Sequence, residues 1–307
     1  MTQPPRHGTT ASPAHRPVHP AHPAPGKDSP MTEDAQRITT PVHVTGPAGP
    51  WQEVEDGMAL RGNASVFTTW GEWLTAALAE PALRPLLGRD WLRYRQTVDP
   101  TIRYRFVASR LAVKYTAAAA LGVDPADLDL AYKIGGRPYL RGFDQIDVSL
   151  THTDDLIAVG ISRTGRIGID TEPVDRRLSL QLLQDQVLTA AEQSELAALP
   201  EAEQPAAMLR LWTLKEAYTK ALGQGLRLGF SEFGFATGSG GDAGLLAPDG
   251  TPAARGEWAF GTYPVLDRYL VSIACHDTGL NTSRDTAVST MLDEGFLTTV
   301  AGLLERA

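Results

Sequence analysis

The chain has 307 residues, 42% of them hydrophobic and 21% charged, with a formal net charge of −8 at pH 7. That is enough chain for one large or two modest globular units, and its single cysteine, Cys275, excludes an internal disulfide framework and a multi-cysteine zinc cluster. The acidic balance argues against nonspecific nucleic-acid binding, which needs a basic face to neutralise phosphates, but leaves room for a local basic pocket.

Eleven of the 22 prolines and five of the seven histidines (His7, His15, His19, His22 and His43) fall within residues 1–50. Residues 1–45 lack aliphatic periodicity and cannot bury enough apolar area to offset chain entropy, so they are expected to be disordered, with the histidines on a solvated tail rather than at a metal. The N-terminus shows no apolar core of a secretory signal, and no apolar run reaches the ~20 residues that span a bilayer. Both point to the cytoplasm. Trp70–Leu78 predicts a helix and Ile102–Ala117 a longer one, with Ile102, Phe106, Val113 and Ala117 on the packed face and Arg103, Arg105, Arg110 and Lys114 supplying cations elsewhere. Gly122 and Pro125 close it. Ile146–His152 and Leu156–Ser162 alternate as strands around a Thr153-Asp-Asp turn. Arg166–Glu172 follows as an extended segment with Ile167 and Ile169 on one face, Asp170 and Glu172 on the other. Thr189-Ala-Ala-Glu192 has capping-box chemistry. Met208–Leu222 predicts a second long helix stopped by Gly223 and Gly225. Phe230–Phe235, Trp258–Tyr263 and Tyr269–Cys275 read as strands, 238–256 as an exposed excursion and 286–305 as a weakly amphipathic helix. A helix-then-strands order thus occurs twice, an α+β pattern of two similar halves.

Three groups of residues could carry chemistry. In Asp170-Thr-Glu172 the two carboxylates share one side of an extended chain, where they could ligate one hard cation or merely line a solvated edge. Trp212, Glu216 and Lys220 stack along one helical stripe with Lys215 beside them. An ordinary surface ion pair would explain that spacing. Yet only five of the 28 basic residues are lysines, and a compact ammonium suits a phosphate oxygen. Gly135-Gly136-Arg137-Pro138 combines a glycine turn with a cation, as phosphate binding requires, although a plain turn has the same appearance. His152, at a strand end, could donate to a phosphate or cap the hairpin. The chain has no Gly-x-x-x-x-Gly-Lys-Ser/Thr loop, no His-Glu-x-x-His pair and no nucleophile elbow, which leaves carboxylates, cations and a metal as its available chemistry.

In order along the chain, Gly-Gly-Arg-Pro (135–138), Val-Ser-Leu-Thr-His (148–152), Ile-Gly-Ile-Asp-Thr-Glu (167–172), Leu-Trp-Thr-Leu-Lys-Glu-Ala-Tyr-Thr-Lys (211–220) and Gly223-Gln-Gly225-Leu resemble the larger 4′-phosphopantetheinyl transferases, the surfactin-synthetase-activating type, over about residues 90–275. The resemblance implies an α+β monomer of two similar subdomains related by a pseudo-twofold axis, each a helix packed on a small, mainly antiparallel sheet. The boundaries expected on this basis are 1–45 for the disordered head, 46–165 and 166–280 for the subdomains and 281–307 for a tail, helical in part. It also implies transfer of phosphopantetheine from coenzyme A to a serine of an apo acyl or peptidyl carrier protein, with release of adenosine 3′,5′-bisphosphate and no nucleic-acid or membrane partner. Asp170, Glu172 and Glu216 match the family's Mg²⁺ ligands, with Mn²⁺ an alternative. Glu216 also matches the residue that takes the serine proton, and Lys220 the cation facing the phosphates. Arg137 stands where the family has lysine and His152 matches its Ser-His histidine, both implied to contact coenzyme A phosphates, and Arg105, with Arg103 as fallback, is the candidate for the 3′-phosphate. Thr151 replaces the usual serine, and Val187-Leu188 stand where the family often has paired aromatics on the carrier-contacting surface. The competing readings are a catalytically silent carrier-binding module and an unrelated Mg²⁺-dependent phosphohydrolase.

Overall fold

The alternating segments pair as their patterns require in the computed structural model, which describes Met1 and residues 38–176, 186–224, 227–237, 243–253 and 257–277. All its elements lie within the unit Thr32–Ala307. The first strands are β1 (Val42–His43), β2 (Asn63–Thr69), the short antiparallel pair β3 (Leu130–Tyr132) and β4 (Pro138–Leu140), then β5 (Asp147–Thr153) and β6 (Leu156–Ser162). β5 and β6 form the expected hairpin, and the sheet runs β1-β2-β6-β5, antiparallel except for β1 on β2.

Helices α1 (Gln52–Arg61), α2 (Leu74–Leu78), α3 (Glu80–Leu87), α4 (Trp91–Gln96) and α5 (Pro100–Leu121) belong to the same region. α5 starts where the Asp99 carboxylate accepts from Ile102 N at 2.9 Å, with Pro100 in its first turn, and stops where Gly122 turns left-handed at φ 67°. It packs Phe106, Val107, Leu111, Val113 and Ala117 into one core with Val66, Trp73, Val148 and Val159.

Three expectations for this half need correction. Residues 38–45 are ordered: Ile38, Val42 and Val44 supply buried apolar area, β1 pairs with β2, and the His43 ring stacks on Phe67 while its Nε2 meets Glu72 Oε1 at 2.9 Å. Ile102 is 62% exposed, because the packed stripe begins a turn later at Phe106. Lys114 is buried, and its ammonium donates to the Leu86 carbonyl at 2.7 Å, satisfying an acceptor in the last turn of α3.

The remaining elements are β7 (Ile167–Pro173), α6 (Ala190–Ala198), α7 (Gln204–Leu222), β8 (Gly234–Thr237), β9 (Ala243–Leu246), β10 (Trp258–Val265) and β11 (Tyr269–His276). β10-β11-β7 is an antiparallel sheet, and α7 lies on it. The excursion after Thr237 carries β9, which pairs with β8. Thr189 and Glu192 form the expected capping box at the start of α6. Phe230–Glu232 is a 3₁₀ turn rather than a strand, because the Phe230 and Phe233 carbonyls are taken by the Lys215 ammonium, each at 2.7 Å, instead of a neighbouring strand. Val187 and Leu188 are buried against α7, so they are core residues and not a contact surface. Gly225, most of the head and the tail lie outside the described residues.

Where the two sheets meet, side chains replace the backbone ladder. Ser149 Oγ accepts from Ile169 N at 3.1 Å, and Asp147 Oδ2 accepts from Ile167 N at 2.8 Å, fixing β5 against β7. Among the described residues no helix is long and apolar enough to cross a membrane.

Candidate functional site

Strand alternation decides where the two carboxylates of β7 point. Ile167 and Ile169 enter the core between the sheets, which turns Gly168, Asp170 and Glu172 toward α7. Gly168 is what lets the helix come close: a Cβ there would lie 1.8 Å from the Ala217 carbonyl oxygen and 2.5 Å from Ala221 N. With the backbones this near, the helical stripe lies along the strand. Lys220 Nζ donates to Asp170 Oδ1 at 2.6 Å, and Trp212 Nε1 donates to Glu172 Oε1 at 3.3 Å. Glu216 lies midway between Trp212 and Lys220 on that stripe, where it feels the charges of Asp170, Lys220 and Arg176. Its pKa is raised, first by burial and then by the charge of Asp170, with Lys220 and Arg176 opposing.

The acidic residues are already engaged by cations. Asp170 Oδ1 also receives the Thr151 hydroxyl at 3.4 Å, and Thr151 Oγ1 in turn accepts from Lys220 Nζ at 3.2 Å. Arg176, a residue sequence reasoning did not single out, donates from Nη1 to Glu172 Oε1 and lays its guanidinium over the Trp212 ring, 5.6 Å from the centroid. Asp170 Oδ2 is different: it is buried and has no hydrogen-bond partner among the described residues.

Beyond Thr151 and Lys220 opens a cavity of about 1020 Å³ whose wall includes Trp70, Arg93, Arg105, Arg110, His152 and Lys220. Arg105 stacks over Trp70 at 5.7 Å, whereas Arg103 is held between Tyr94 and Tyr104 and is absent from this wall. The His152 imidazole has a lowered pKa, first through loss of solvent at the wall and then through Arg110, Lys220 and Arg105. Asp154 and Asp155 also line this wall and Arg110 is paired with Asp90 at 3.2 Å, but the four arginine and lysine side chains outnumber the two wall carboxylates, an excess of positive charge that suits a polyanion. Arg93 and Arg110 were missed as site residues: Arg93 lies on α4 and Arg110 on α5, and no spacing in the sequence joins them to His152. Their nearest signal was the arginine density of residues 89–110.

The Arg137 guanidinium is engaged within the protein. Nη1 donates to the Lys220 carbonyl, and Nη2 donates to Asp147 Oδ2 at 2.5 Å and to Ile167 O at 2.7 Å. It clasps β5, β7 and the end of α7 beside a smaller cavity of about 540 Å³, which also touches Lys220. Lys215 is fully buried on Glu192 at 2.7 Å and has no part in anion binding.

The carboxylates do not form a ready-made metal cluster: among the described residues no three His, Cys, Asp or Glu side chains are disposed to hold an ion. They nevertheless fit one in chemistry. Asp170 Oδ2 is an orphaned buried acceptor, and the charged form of Glu216, disfavoured first by burial and then by Asp170, is one that a divalent cation would favour. Glu172 qualifies once Arg176 releases Oε1.

The fold and site define an α+β protein in which buried carboxylates adjoin a cation-lined cavity. Residues 166–274, the segment holding Asp170, Glu172, Glu216 and Lys220, match the family model of the 4′-phosphopantetheinyl transferase superfamily, so the resemblance seen in the sequence is borne out there. The chain is 32% identical over 130 residues to the 4′-phosphopantetheinyl transferase HetI of a Nostoc species, covering 41% of this chain and 55% of that one. It is 25% identical over 147 residues to a 4′-phosphopantetheinyl transferase of Bacillus subtilis (48% and 64%). A third relative is the L-aminoadipate-semialdehyde dehydrogenase-phosphopantetheinyl transferase of Eremothecium gossypii, 34% identical over 152 residues (48% and 54%). The chain thus spans less than two thirds of the length of each of these relatives.

Proposed function

We propose that the protein transfers the 4′-phosphopantetheine arm of coenzyme A to a serine of an apo acyl or peptidyl carrier protein, releasing adenosine 3′,5′-bisphosphate in a Mg²⁺-dependent reaction. The observation that carries this reading is Lys220, whose ammonium sits where the cation-lined cavity meets the buried carboxylates, 2.6 Å from Asp170 Oδ1. A polyanion lodged in that cavity would bring its pyrophosphate to Lys220 and the acidic residues behind it.

In this reading Arg105 and His152 hold coenzyme A phosphates, with Arg110 and Arg93 adding charge around them. Lys220 exchanges Asp170 for the pyrophosphate and stabilises the negative charge that grows on the leaving adenosine 3′,5′-bisphosphate. Glu216 takes the serine proton, directly or through water, as the serine oxygen bonds to the phosphorus and the phosphoanhydride bond breaks. Asp170, Glu172 and Glu216 would hold Mg²⁺, which supplies Lewis-acid polarisation of the pyrophosphate. Arg137, committed to three protein acceptors, serves chiefly by holding the Lys220 turn against β5 and β7. The same reading takes the chain as a cytoplasmic monomer of two pseudo-twofold-related halves, with no nucleic-acid or membrane partner.

The test is incubation with a fluorescent coenzyme A analogue, Mg²⁺ and a panel of apo carrier proteins. Label on the carrier serine is the expected result. Carrier binding without label would favour a silent module, and phosphate release without any carrier a phosphohydrolase.

A further inference from the structure

Arg176 and Lys220 divide the acidic cluster between them, but on unequal terms. The side chain of Lys220 is 29% exposed and forms part of the cavity wall, while Arg176 is 40% exposed, outside both cavities, and rests on Glu172 and on the face of Trp212. Glu172, by contrast, is held: its side chain is 10% exposed, its backbone pairs with Leu270 near the end of β7, and Trp212 Nε1 donates to the same Oε1 that Arg176 occupies. Arg176 is therefore the member of the pair with the freer way out to solvent. Asp170 Oδ2 meanwhile stays buried and unpartnered, as an acceptor awaiting a ligand would.

Resting on the reading of this cluster as a divalent-ion site, we propose that Arg176 is a displaceable counter-ion: it holds Glu172 in the ion-free protein and competes with the incoming divalent cation for the same oxygen. The charge balance agrees. With a divalent ion in place of Arg176, three carboxylates and Lys220 reach neutrality, whereas with the arginine retained the cluster would carry excess positive charge. Arg176 would thus set the metal affinity of the site without touching substrate.

The probe is Mn²⁺ alone, titrated into the full chain without coenzyme A and followed by the paramagnetic resonance signal of the free ion. Arg176→Gln is expected to bind Mn²⁺ about fivefold more tightly than the parent, the scale of one partly exposed ion pair. Arg176→Lys, which keeps the competing charge, should stay near the parent, and Asp170→Asn should lose the site. Equal or weaker Mn²⁺ binding by Arg176→Gln overturns the counter-ion role, while an Asp170-dependent site in the parent keeps the metal reading. Absence of any Asp170-dependent Mn²⁺ binding in either chain overturns the metal reading together with the proposal.

Discussion

Lys215 and Lys220 belong to the same helix, and each rests on a carboxylate at hydrogen-bonding distance, 2.7 Å to Glu192 and 2.6 Å to Asp170. Their surroundings are opposite. The Lys215 ammonium is completely buried and has every donor used, on Glu192 and two carbonyls, and Glu192 also accepts from the Thr189 and Phe235 amides at 2.8 Å each. The Lys220 pair faces a cavity, and its carboxylate keeps one oxygen without a partner. A saturated buried pair ties α6, α7 and the 3₁₀ turn together, while an unsaturated pair at a cavity edge is poised to exchange partners. Saturation and access, more than the presence of an ion pair, separate framework from site.

The sharpest way to break that contrast is at the residue beside Lys215 that faces the site. Glu216→Ala is expected to abolish phosphopantetheine transfer while moving coenzyme A affinity by less than about tenfold, or ~1.4 kcal/mol; turnover that survives would remove Glu216 from the mechanism. The two lysines should then diverge in urea unfolding. Lys215→Met leaves Glu192 buried without its counter-ion and should cost about 3–5 kcal/mol, whereas Lys220→Met, where cavity water can reach the vacated side of Asp170, should cost less, about 1–2 kcal/mol. Similar losses at both positions would erase the distinction.

Arg137 lies between the two extremes. Arg137→Ala removes bonds to Asp147, Ile167 and Lys220, so a stability loss of about 1–3 kcal/mol is expected alongside weaker coenzyme A binding. Unchanged unfolding with lost affinity would return Arg137 to direct phosphate contact. The smallest effect concerns His152. Its pKa in the folded protein lies below the ordinary 6.5, so the stability it contributes is present above that pH and declines as pH falls toward the lower folded value. A bound adenosine 3′,5′-bisphosphate offsets the cations around it and should raise that pKa, visible by nuclear magnetic resonance as a move of the imidazole titration midpoint to higher pH. An unmoved titration would place the phosphates elsewhere.

Much of the framework was legible because it depends on local chemistry. The β5–β6 hairpin follows from alternation around Thr153-Asp-Asp, α5 ends at Gly122 and α7 at Gly223, and Thr189 with Glu192 caps α6. The stripe of Trp212, Glu216 and Lys220, and the shared face of Asp170 and Glu172, follow from helical and strand periods alone. Ordered motif residues pointed further, to the family whose model matches residues 166–274.

Partners across the fold were not legible, because periodicity says which side chains share a face and not what that face meets. Only packing decided that Lys215 reaches Glu192, that Arg176 covers Glu172, that Arg137 clasps three backbone segments, and that Arg93 and Arg110 join His152 around one cavity. A lysine beside a glutamate reads identically in sequence whether it is buried or exposed; desolvation, which only the tertiary structure sets, determines which one holds the protein together and which one is free to bind.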